Sequence, residues 1–396
     1  MKKIAVDLRC LESPTGKRGI GYYNKSLFEH LLTAPHPNFS FNLITFPGKK
    51  LPKKFKVDPQ DKFTSIPALY WPKRGLRRLD PFFSFVWSGI LKKIKPDLVH
   101  ITSLFEVYYL DIPTDIPTVV TLYDVIPLVF PDKYFKNKKA KDWYLKRLEQ
   151  AKKASRIITI SKSSKKDLIE ILKIPANKID IVYGAFDERF KVINKQEVTR
   201  VLSKYGIKNK YILTVSTHSF HKNTERMFAL TKNLDLNLVV VCNLIGSEER
   251  DWRRKIKDLG VEDKIILTNF VNDKDLPALF SGAKLFLFPS LYEGLGLPVL
   301  EAFACGCPVI TSKTSSLTEV GGNAALYVNP KDTGDIVEAV ERILHNQRLR
   351  EDLVKKGFEQ AKKFSWEKAA KATLSVYEKV LSSSAATNIT QSKTGG

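Results

Sequence analysis

The stretch LFLFPSLYEGLGLPVLEAFACGCPVITS, residues 285–312, contains two short apolar runs on either side of a glycine-rich turn and an apolar helical segment. Pro298 suits the first turn of that helix, because proline lacks the amide hydrogen that a first turn leaves unpaired. Gly306 suits its end, because glycine accepts the left-handed backbone in which many helices terminate. The order strand, helix, strand predicts a βαβ unit with two parallel strands.

The same alternation of short β-branched runs with longer amphipathic segments continues in both directions along the chain, and it is typical of parallel sheets. In the first half it predicts the strands KIAVDL, FNLITF, DLVHIT, TVVTLYDV, RIITIS and IDIVYG. In the second half it predicts YILTVST, NLVVVCNLIG, KIILTNFV, LFLFPS, PVITS and ALYV. The sequence therefore predicts an α/β protein made of two Rossmann-like, doubly wound parallel-sheet domains.

A polar stretch without a strand candidate separates the two series and sets the domain boundary. We expect an N-terminal domain over 1–187, a linker with one helix over 188–207, and a C-terminal domain over 208–364. Residues 365–381 predict a final helix that packs back on the N-terminal domain. The low-complexity residues 382–396 predict a disordered tail.

Length and composition indicate a globular protein. The chain has 396 residues, 43% of them hydrophobic, which is enough for two cores. The four cysteines are scattered rather than paired, which favours a reducing compartment. Asp7 and Arg9 interrupt the apolar run that a signal peptide would need. The run PFFSFVWSGIL is far shorter than the about 20 residues of a spanning helix. We therefore expect a cytoplasmic protein.

The formal net charge of +23 predicts a partner that carries phosphate groups. Within residues 71–95 aromatic and basic side chains alternate, as expected of a segment that rests on an anionic membrane. The aromatic residues of this segment are Trp71, Phe82, Phe83, Phe85 and Trp87. In the alternative, the basic residues of this segment and of the rest of the chain only form solvent-exposed loops and helix faces. A basic nucleic-acid-binding protein would also explain the charge, but the sequence shows no RNA-binding or DNA-binding module.

Two acidic residues, Glu293 and Glu301, flank the glycine-rich segment GLGL ahead of the predicted helix. Such a segment leaves unpaired amides at a helix N-terminus, which binds phosphate. Carboxylates repel phosphate but accept paired hydrogen bonds from vicinal diols. This combination fits a nucleotide sugar, in which a diphosphate joins a ribose to a sugar. In the alternative, Glu301 completes a helix N-terminus, Glu293 is solvated, and Gly294 and Gly296 only form the turn.

The segment EGLGLPVLEAFACGCPVITS resembles the E-x7-E segment of the family 4 retaining glycosyltransferases. The resemblance extends from GIGYYNKSL through TLYDVIPLVFPDKYF, FHKNTERMF and SSLTEVGGNAALYVNP to FSWEKAAKATLSVYEKVL, and so covers most of the chain. It implies the GT-B fold, in which two Rossmann-like domains face each other across a cleft. It also implies a nucleotide-sugar co-substrate and a reaction that needs no metal or other cofactor.

The resemblance assigns roles to residues of the C-terminal half. Glu293 would hold hydroxyl groups of the donor sugar, and Glu301 would bind the ribose diol. Lys222 matches the basic residue that neutralises the donor diphosphate, where a fixed cation stabilises the charge that develops as the diphosphate leaves. The amides that would meet the distal phosphate and the sugar are those of Gly294, Leu295, Gly296 and Leu297.

The chain departs from the family pattern near Lys222. Many relatives have an arginine a few residues before this lysine, where the present chain has STHSFH. His221, Arg226 or amides of the donor loop would then take the place of the second cation, and the alternative for His221 is an ordinary loop histidine.

The N-terminal half matches the family less closely. Gly19 and Gly21 match the glycine loop that closes on the donor phosphates, although Asn24 occupies the third glycine position of a dinucleotide fingerprint, and the alternative is structural punctuation. Tyr123 stands where relatives have a histidine before the aspartate. Asp124 is a candidate for orienting the acceptor hydroxyl, and its alternative is a turn-forming aspartate.

Together these features predict a retaining glycosyltransferase that moves a hexose from a nucleotide diphosphate donor to a glycan or polyprenol-linked acceptor in surface polysaccharide synthesis. GDP-mannose is the first candidate donor, because YDVIPLVFPDKYF and SSLTEVGG are most similar to segments of bacterial mannosyltransferases. The Asp-x-Asp of NDKD is better interpreted as a helix start with Asp275 as N-cap than as a metal site. A nucleotide-sugar epimerase of similar fold and a sucrose or trehalose type synthase remain open.

Overall fold

The computed structural model describes residues 1–13, 16, 19–45, 55, 61–65, 80–105 and 112–394, and the side chains of residues 63, 65, 80–84 and 384–394 are outside this description. The chain divides into two compact units. Unit 1 consists of Met1–Gly184 and Trp366–Gly396, and unit 2 consists of Ala185–Ser365.

Unit 1 contains a parallel sheet with helices between its strands. The strands are β1 Lys2–Asp7, β2 Phe39–Thr45, β3 Lys62–Ser65, β4 Leu98–Ile101, β5 Thr118–Thr121, β6 Arg156–Thr159 and β7 Ile179–Ile181. The helices that precede the boundary are α1 Gly19–Thr33, α2 Asp80–Ile94, α3 Ile126–Val129, α4 Pro131–Tyr134, α5 Lys138–Lys152 and α6 Lys162–Glu170. The strand order is β3-β2-β1-β4-β5-β6-β7, so the order reverses between β1 and β4.

The sequence patterns do not predict β3. Its four residues, KFTS, form a parallel pair with β2, in which Asn42 lies opposite Lys62. The strand is at the edge of the sheet, where a short segment pairs on one side only. A strand of this kind needs no continuous apolar run, and its signal in the sequence is correspondingly weak.

Helix α2 packs one face on the core of unit 1. Trp87, Leu91 and Ile94 are buried at helical spacing. The guanidinium carbon of Arg9 lies 4.8 Å from the Trp87 ring centroid, and Arg9 forms a buried ion pair with Asp7 at 2.8 Å. Trp87 therefore does not face a membrane, and this part of the prediction for residues 71–95 is wrong. The reason is that the helix period turns Trp87 towards the sheet.

The opposite face of α2 is exposed. The Phe85 side chain is 77% exposed, and Lys92 and Lys93 are exposed in the last turn of the same helix. Trp71 and the side chains of Phe82 and Phe83, which the membrane prediction also includes, lie outside the described residues.

Unit 2 repeats the same architecture. Its strands are β8 Tyr211–Val215, β9 Asn237–Val241, β10 Ile265–Leu267, β11 Leu285–Phe288, β12 Val309–Ser312 and β13 Ala325–Val328. Its helices are α7 Lys195–Lys204, α8 Thr224–Leu230, α9 Ser247–Leu259, α10 Leu276–Gly282, α11 Leu297–Ala304, α12 Leu317–Gly321, α13 Thr333–His345 and α14 Gln347–Ala361. The order β10-β9-β8-β11-β12-β13, with all strands parallel, confirms the doubly wound prediction.

The predicted linker forms part of unit 2, because α7 is fixed to the start of α10. Lys204 Nζ and Tyr205 Oη donate hydrogen bonds to the Asp275 carboxylate at 2.6 and 2.9 Å. Asp275 precedes α10 but forms no side-chain capping bond. Asp275 therefore stands at the predicted N-cap position, but its side chain does not cap the helix, since Lys204 and Tyr205 occupy its carboxylate.

The last helix, α15 Trp366–Thr394, returns to unit 1. The Trp366 ring centroid lies 5.5 Å from that of Tyr23 in α1, and Tyr377 is fully buried. The helix continues through residues 382–394, where the sequence predicted a disordered tail. This segment contains neither glycine nor proline, the residues that most often end a helix. Within the described part of the chain, none of the helices is long and apolar enough to cross a membrane.

Candidate active site

Lys222 and Glu293 meet at the carboxyl edge of the unit 2 sheet. Lys222 follows β8, and Glu293 follows β11, the neighbouring strand at which the strand order reverses. Ligands of open parallel sheets bind at this switch point. Lys222 Nζ lies 2.9 Å from Glu293 Oε1 and 3.0 Å from Oε2, so the ammonium group donates to both oxygens. The structure thus brings together the two residues to which the resemblance assigned diphosphate and sugar binding.

The environment of this ion pair is largely dry. The Glu293 side chain is 8% exposed and that of Lys222 is 18% exposed. Lys222 Nζ also lies 5.0 Å from the Phe288 ring centroid, within the range of a cation–π contact. The alternative in which Glu293 is solvated is therefore wrong. Charges in such surroundings act more strongly on a ligand than they would in water.

Two serines hold the loop that carries Glu293. Ser315 Oγ accepts a hydrogen bond from Glu293 N at 2.9 Å. Ser316 Oγ donates to the carbonyl oxygens of Glu293 and Leu295 at 2.9 and 3.0 Å. Sequence reasoning used the segment SSLTEVGG only for the resemblance and missed this role. A pair of serines three and four residues after a predicted strand was the available signal, because hydroxyls often bind loop backbone.

Gly296 sets the start of α11. Its φ of +96° is in the left-handed region, and a Cβ at this position would lie 2.8 Å from Leu317 Cδ2. Pro298 lies in the first turn of the helix, and Gly306, with φ +69°, follows its end, as the sequence predicted. The turn through Gly294, Leu295 and Gly296 therefore leads directly into the positive end of a helix dipole.

Glu301 is buried in the last turn of α11, three residues before the helix ends at Ala304. Burial raises the pKa of its carboxyl group to about 8; the Arg189 guanidinium opposes the rise, and Asp273 and Asp187 add to it. A carboxyl group in this state carries a proton at neutral pH and can donate a hydrogen bond as well as accept one. Glu301 makes no capping contact in the first turn of α11, so the interpretation of Glu301 as a helix-start residue is wrong.

His221 lies beside the ion pair but carries no charge at neutral pH. Burial lowers its pKa to about 4; Glu293 opposes this effect and Lys222 adds to it. Its carbonyl oxygen accepts a hydrogen bond from Leu291 N at 2.7 Å and so joins the loops after β8 and β11. His221 is therefore not the second cation that the sequence analysis sought. Arg226 remains a candidate, with its Nη1 donating to Thr333 Oγ1 at 3.4 Å.

The glycine pair of unit 1 lies in a helix rather than in a loop. Gly19 and Gly21 belong to the first turn of α1. A Cβ at Gly21 would lie 2.2 Å from the carbonyl oxygen of Gly16, whereas a Cβ at Gly19 would meet nothing within 4 Å. The prediction of a glycine loop at these two positions is wrong. The helix begins at Gly19, three residues before the apolar pattern from which its start was predicted. A glycine is needed at position 21 because the backbone of Gly16 lies close to it and leaves no room for a side chain.

Tyr123 and Asp124 follow β5 in unit 1. Tyr123 Oη donates to the Thr102 carbonyl oxygen and accepts from Asn24 Nδ2, both at 2.7 Å, and the side chain is buried. Asp124 Oδ1 accepts a hydrogen bond from Ile126 N at 3.0 Å, as a turn-forming aspartate does. Burial, and secondarily the charge of Asp124, raise the pKa of Tyr144.

One group in the described ranges has the residue types of a metal site. Ligand atoms of His218, Glu225 and Asp251 lie within 4.8 Å of one another. Lys255 Nζ, however, lies 2.5 Å from Glu225 Oε1 and 2.9 Å from Asp251 Oδ2. Hydrogen bonds from Lys255 and His218 lower the pKa of Asp251 to about 2. An ammonium group thus already pairs with both carboxylates.

The chain matches two family models, which together extend over both units. Residues 18–190 match "Glycosyltransferase Family 4", and residues 198–360 match "Glycosyl transferases group 1". The serotype-specific mannosyltransferase WbdA of Escherichia coli is 30% identical over 319 residues, which are 76% of this chain and 39% of WbdA. The chain therefore spans about two fifths of the length of this relative.

Two solved structures are similar over nearly the whole chain. Sucrose-phosphate synthase from Thermosynechococcus elongatus has a TM-score of 0.76 at 20% identity and covers 97% of this chain and 100% of its own. Anabaena HepE in complex with UDP and glucose has a TM-score of 0.73 at 14% identity and covers 96% and 100%. These likenesses confirm the predicted fold.

Proposed function

The chain belongs to the family 4 glycosyltransferases, and from this premise we propose that it transfers a hexose, with retention of configuration, from a nucleotide diphosphate sugar to a hydroxyl acceptor. The acceptor is a glycan or a polyprenol-linked saccharide of surface polysaccharide synthesis. The mannosyltransferase relative supports mannose as the sugar and GDP-mannose as the donor. The UDP complex of HepE supports a nucleotide sugar as the donor class.

The bidentate contact between Lys222 and Glu293 carries this proposal. It holds a cation and an anion side by side at the switch point of a doubly wound sheet. A diphosphate needs the cation, and the hydroxyl groups of a sugar need the carboxylate. A nucleotide sugar offers both groups in one molecule, because its distal phosphate is attached to the sugar. The loop that carries Glu293 is fixed in advance by Ser315 and Ser316.

Transfer requires that the bond between the anomeric carbon and the distal phosphate oxygen breaks while the acceptor oxygen forms a new bond to the same carbon. Lys222 would stabilise the negative charge that develops on the leaving diphosphate. The departing phosphate oxygen would take the proton of the acceptor hydroxyl, so the step needs no protein nucleophile. Glu293 would orient the sugar through its hydroxyl groups, and Asp124 would orient the acceptor hydroxyl.

Binding of the donor can be tested by thermal shift with GDP, UDP, ADP and GDP-mannose. A ligand at 100 times its dissociation constant stabilises the protein by about 2.7 kcal/mol. We expect GDP and GDP-mannose to raise the melting temperature most. Indifference to all four compounds would contradict the proposal. An epimerase would convert a nucleotide sugar without any acceptor, and a sucrose or trehalose type synthase would use a free sugar as acceptor.

Two variants distinguish the proposed roles of Glu301 and Glu293. Glu301→Gln should weaken the binding of nucleotides, because the carboxyl group is proposed to bind the ribose diol. Glu293→Gln should retain GDP binding but lose turnover, because its partner is the sugar. If both variants transfer hexose at the wild-type rate, the assignment of the donor site is wrong. We also propose that the reaction needs no metal, so EDTA should leave the rate unchanged.

We further propose that the exposed face of α2 contacts an anionic membrane at the cytoplasmic side. Phe85 can enter the interface between lipid headgroups and acyl chains, while Lys92 and Lys93 attract anionic lipid. Flotation with vesicles that contain anionic lipid should recover the wild type and less of the Phe85→Ser variant. Equal recovery from vesicles with and without anionic lipid would end this proposal.

A further inference from the structure

A groove of about 520 Å³ lies in unit 2 between helix α14 and the residues that precede β11 and β12. Lys284 directly precedes β11, and Pro308 directly precedes β12, so the groove lies at the amino edge of the sheet. Lys222 and Glu293 follow the carboxyl ends of the strands at the opposite edge. The groove is therefore separate from the candidate active site.

The wall of the groove is apolar along α14. Val354 and Phe358 are four residues apart and lie on one face of this helix. Gly306 lines the same groove, and a Cβ added to it would lie 3.2 Å from Phe358 Cζ. Neither Val354 nor Phe358 is fully buried. Unit 2 thus keeps a partly exposed apolar surface in a concave site.

Cations surround this apolar wall. Lys284, Arg350 and Lys355 line the groove, against a single acid, Glu351, whose Oε1 already accepts a hydrogen bond from Gln347 Nε2 at 2.8 Å. Lys284 is only partly exposed. No carboxylate of the described residues forms an ion pair with Lys284 or Arg350, whereas Lys356, on the same helix, pairs with Asp352 at 2.6 Å. Both cations therefore remain available to an external anion.

We propose that this groove binds an amphiphilic anion, a molecule that joins a phosphate or carboxylate group to an alkyl or aryl body. Its volume falls in the range of small-ligand sites, about 300–1,000 Å³, which combine an apolar lining with a few convergent polar groups. The apolar body packs on Val354 and Phe358, and the anionic group pairs with Lys284 and Arg350. A symmetric contact of this groove with the same groove of a second copy is unfavourable, because it would bring these cations against one another.

Isothermal titration with octyl phosphate, octanoate and 1-octanol tests this proposal. The three probes share one chain and differ in the head group. We expect at least one of the two anions to bind at one site per chain, and 1-octanol to bind more weakly. The tighter of the two anions identifies phosphate or carboxylate as the natural head group. The proposal is wrong if neither anion binds, or if 1-octanol binds as tightly as both.

Matched variants locate the site. Arg350→Gln and Lys284→Gln should each weaken anion binding about tenfold, as expected for the loss of one charge-assisted hydrogen bond. Arg348→Gln removes the same charge from an exposed position of α14 outside the groove, and binding should not change. Equal weakening in all three variants would mean non-specific attraction to a basic protein. Saturating GDP should not displace the probe; displacement would place the anion at the nucleotide site instead.

Discussion

Replacing Lys222 with methionine should destabilise unit 2, because it leaves the Glu293 carboxylate in place with no counter-ion. Removal of one partner from a buried ion pair costs about 3–5 kcal/mol. Since the Lys222 side chain retains 18% exposure, we expect the lower end of that range, about 3 kcal/mol. For a unit of this size, the melting temperature should fall by about 6–12 °C.

The partner variant should cost less. Glu293→Gln keeps an amide oxygen that accepts a hydrogen bond from Lys222 Nζ, and the lysine can turn its ammonium group towards water, so we expect a loss of about 1 kcal/mol. In the double variant Lys222→Met with Glu293→Gln no unpaired buried charge remains. Its loss should therefore be smaller than the sum of the two single losses by about 2 kcal/mol.

Urea unfolding followed by circular dichroism measures these free energies, with an unchanged denaturant slope as the condition for comparing variants. Lys232→Met is the matched control, because Lys232 is exposed in the same unit, and it should change stability by no more than about 0.5 kcal/mol. Additive losses within about 0.5 kcal/mol in the double variant would show that the two side chains do not interact in solution. Lys222 and Glu293 would then not form the buried ion pair on which these magnitudes depend.

Three further predictions, each with a matched comparison, test the backbone and the buried acid. Gly21→Ala should strongly destabilise unit 1 through its 2.2 Å approach to the Gly16 carbonyl oxygen, while Gly19→Ala should be neutral or stabilising in the same urea titration. Equal effects would show that the two chain segments do not approach. Gly296→Ala combines a left-handed φ with a contact of 2.8 Å to Leu317 Cδ2 and should cost more than Gly206→Ala, where φ is +68° and the space is open. The backbone share is about 1–2 kcal/mol in each, and equal losses would show that Leu317 moves aside freely. Because the folded pKa of Glu301 is raised to about 8, folding favours its protonated form, and wild-type stability should fall relative to Glu301→Gln as pH rises from about 5 to about 8. A constant difference over this pH window would contradict the burial of the carboxyl group.

Much of the fold could be predicted, because the spacing of apolar residues within each segment indicates a strand or a helix. The βαβ unit around Gly296 and Gly306 is an example, since proline, glycine and apolar runs each have a backbone requirement. The edge strand β3 could not be predicted, because pairing on one side does not demand an apolar run. The length of α15 was also missed, because residues 382–394 are polar in composition yet contain no helix breaker.

The sequence predicted which residues form the candidate site better than it predicted which of them are charged. Lys222 and Glu293 could be found because parallel strands bring their carboxyl ends to one edge. That His221 is neutral depends on burial, which the flanking residues in sequence do not reveal. The neighbours of Asp275 in sequence also do not reveal its hydrogen-bond partners. Its carboxylate accepts hydrogen bonds from Lys204 and Tyr205, about seventy residues earlier in the chain. Long-range partners of this kind override local capping preferences.

The return of α15 to the first sheet has a consequence for how the protein is made. Tyr377 packs against Phe39 and Phe41 and shares a hydrogen bond of 2.7 Å with His100, so residues that are synthesised after unit 2 cover strands that are synthesised before it. Throughout the synthesis of unit 2, we expect these aromatic side chains to stay open to chaperones or to aggregation. A premature stop codon near residue 366 would therefore leave unit 1 without the helix that covers its sheet, although the stop codon lies after the coding sequence of unit 2.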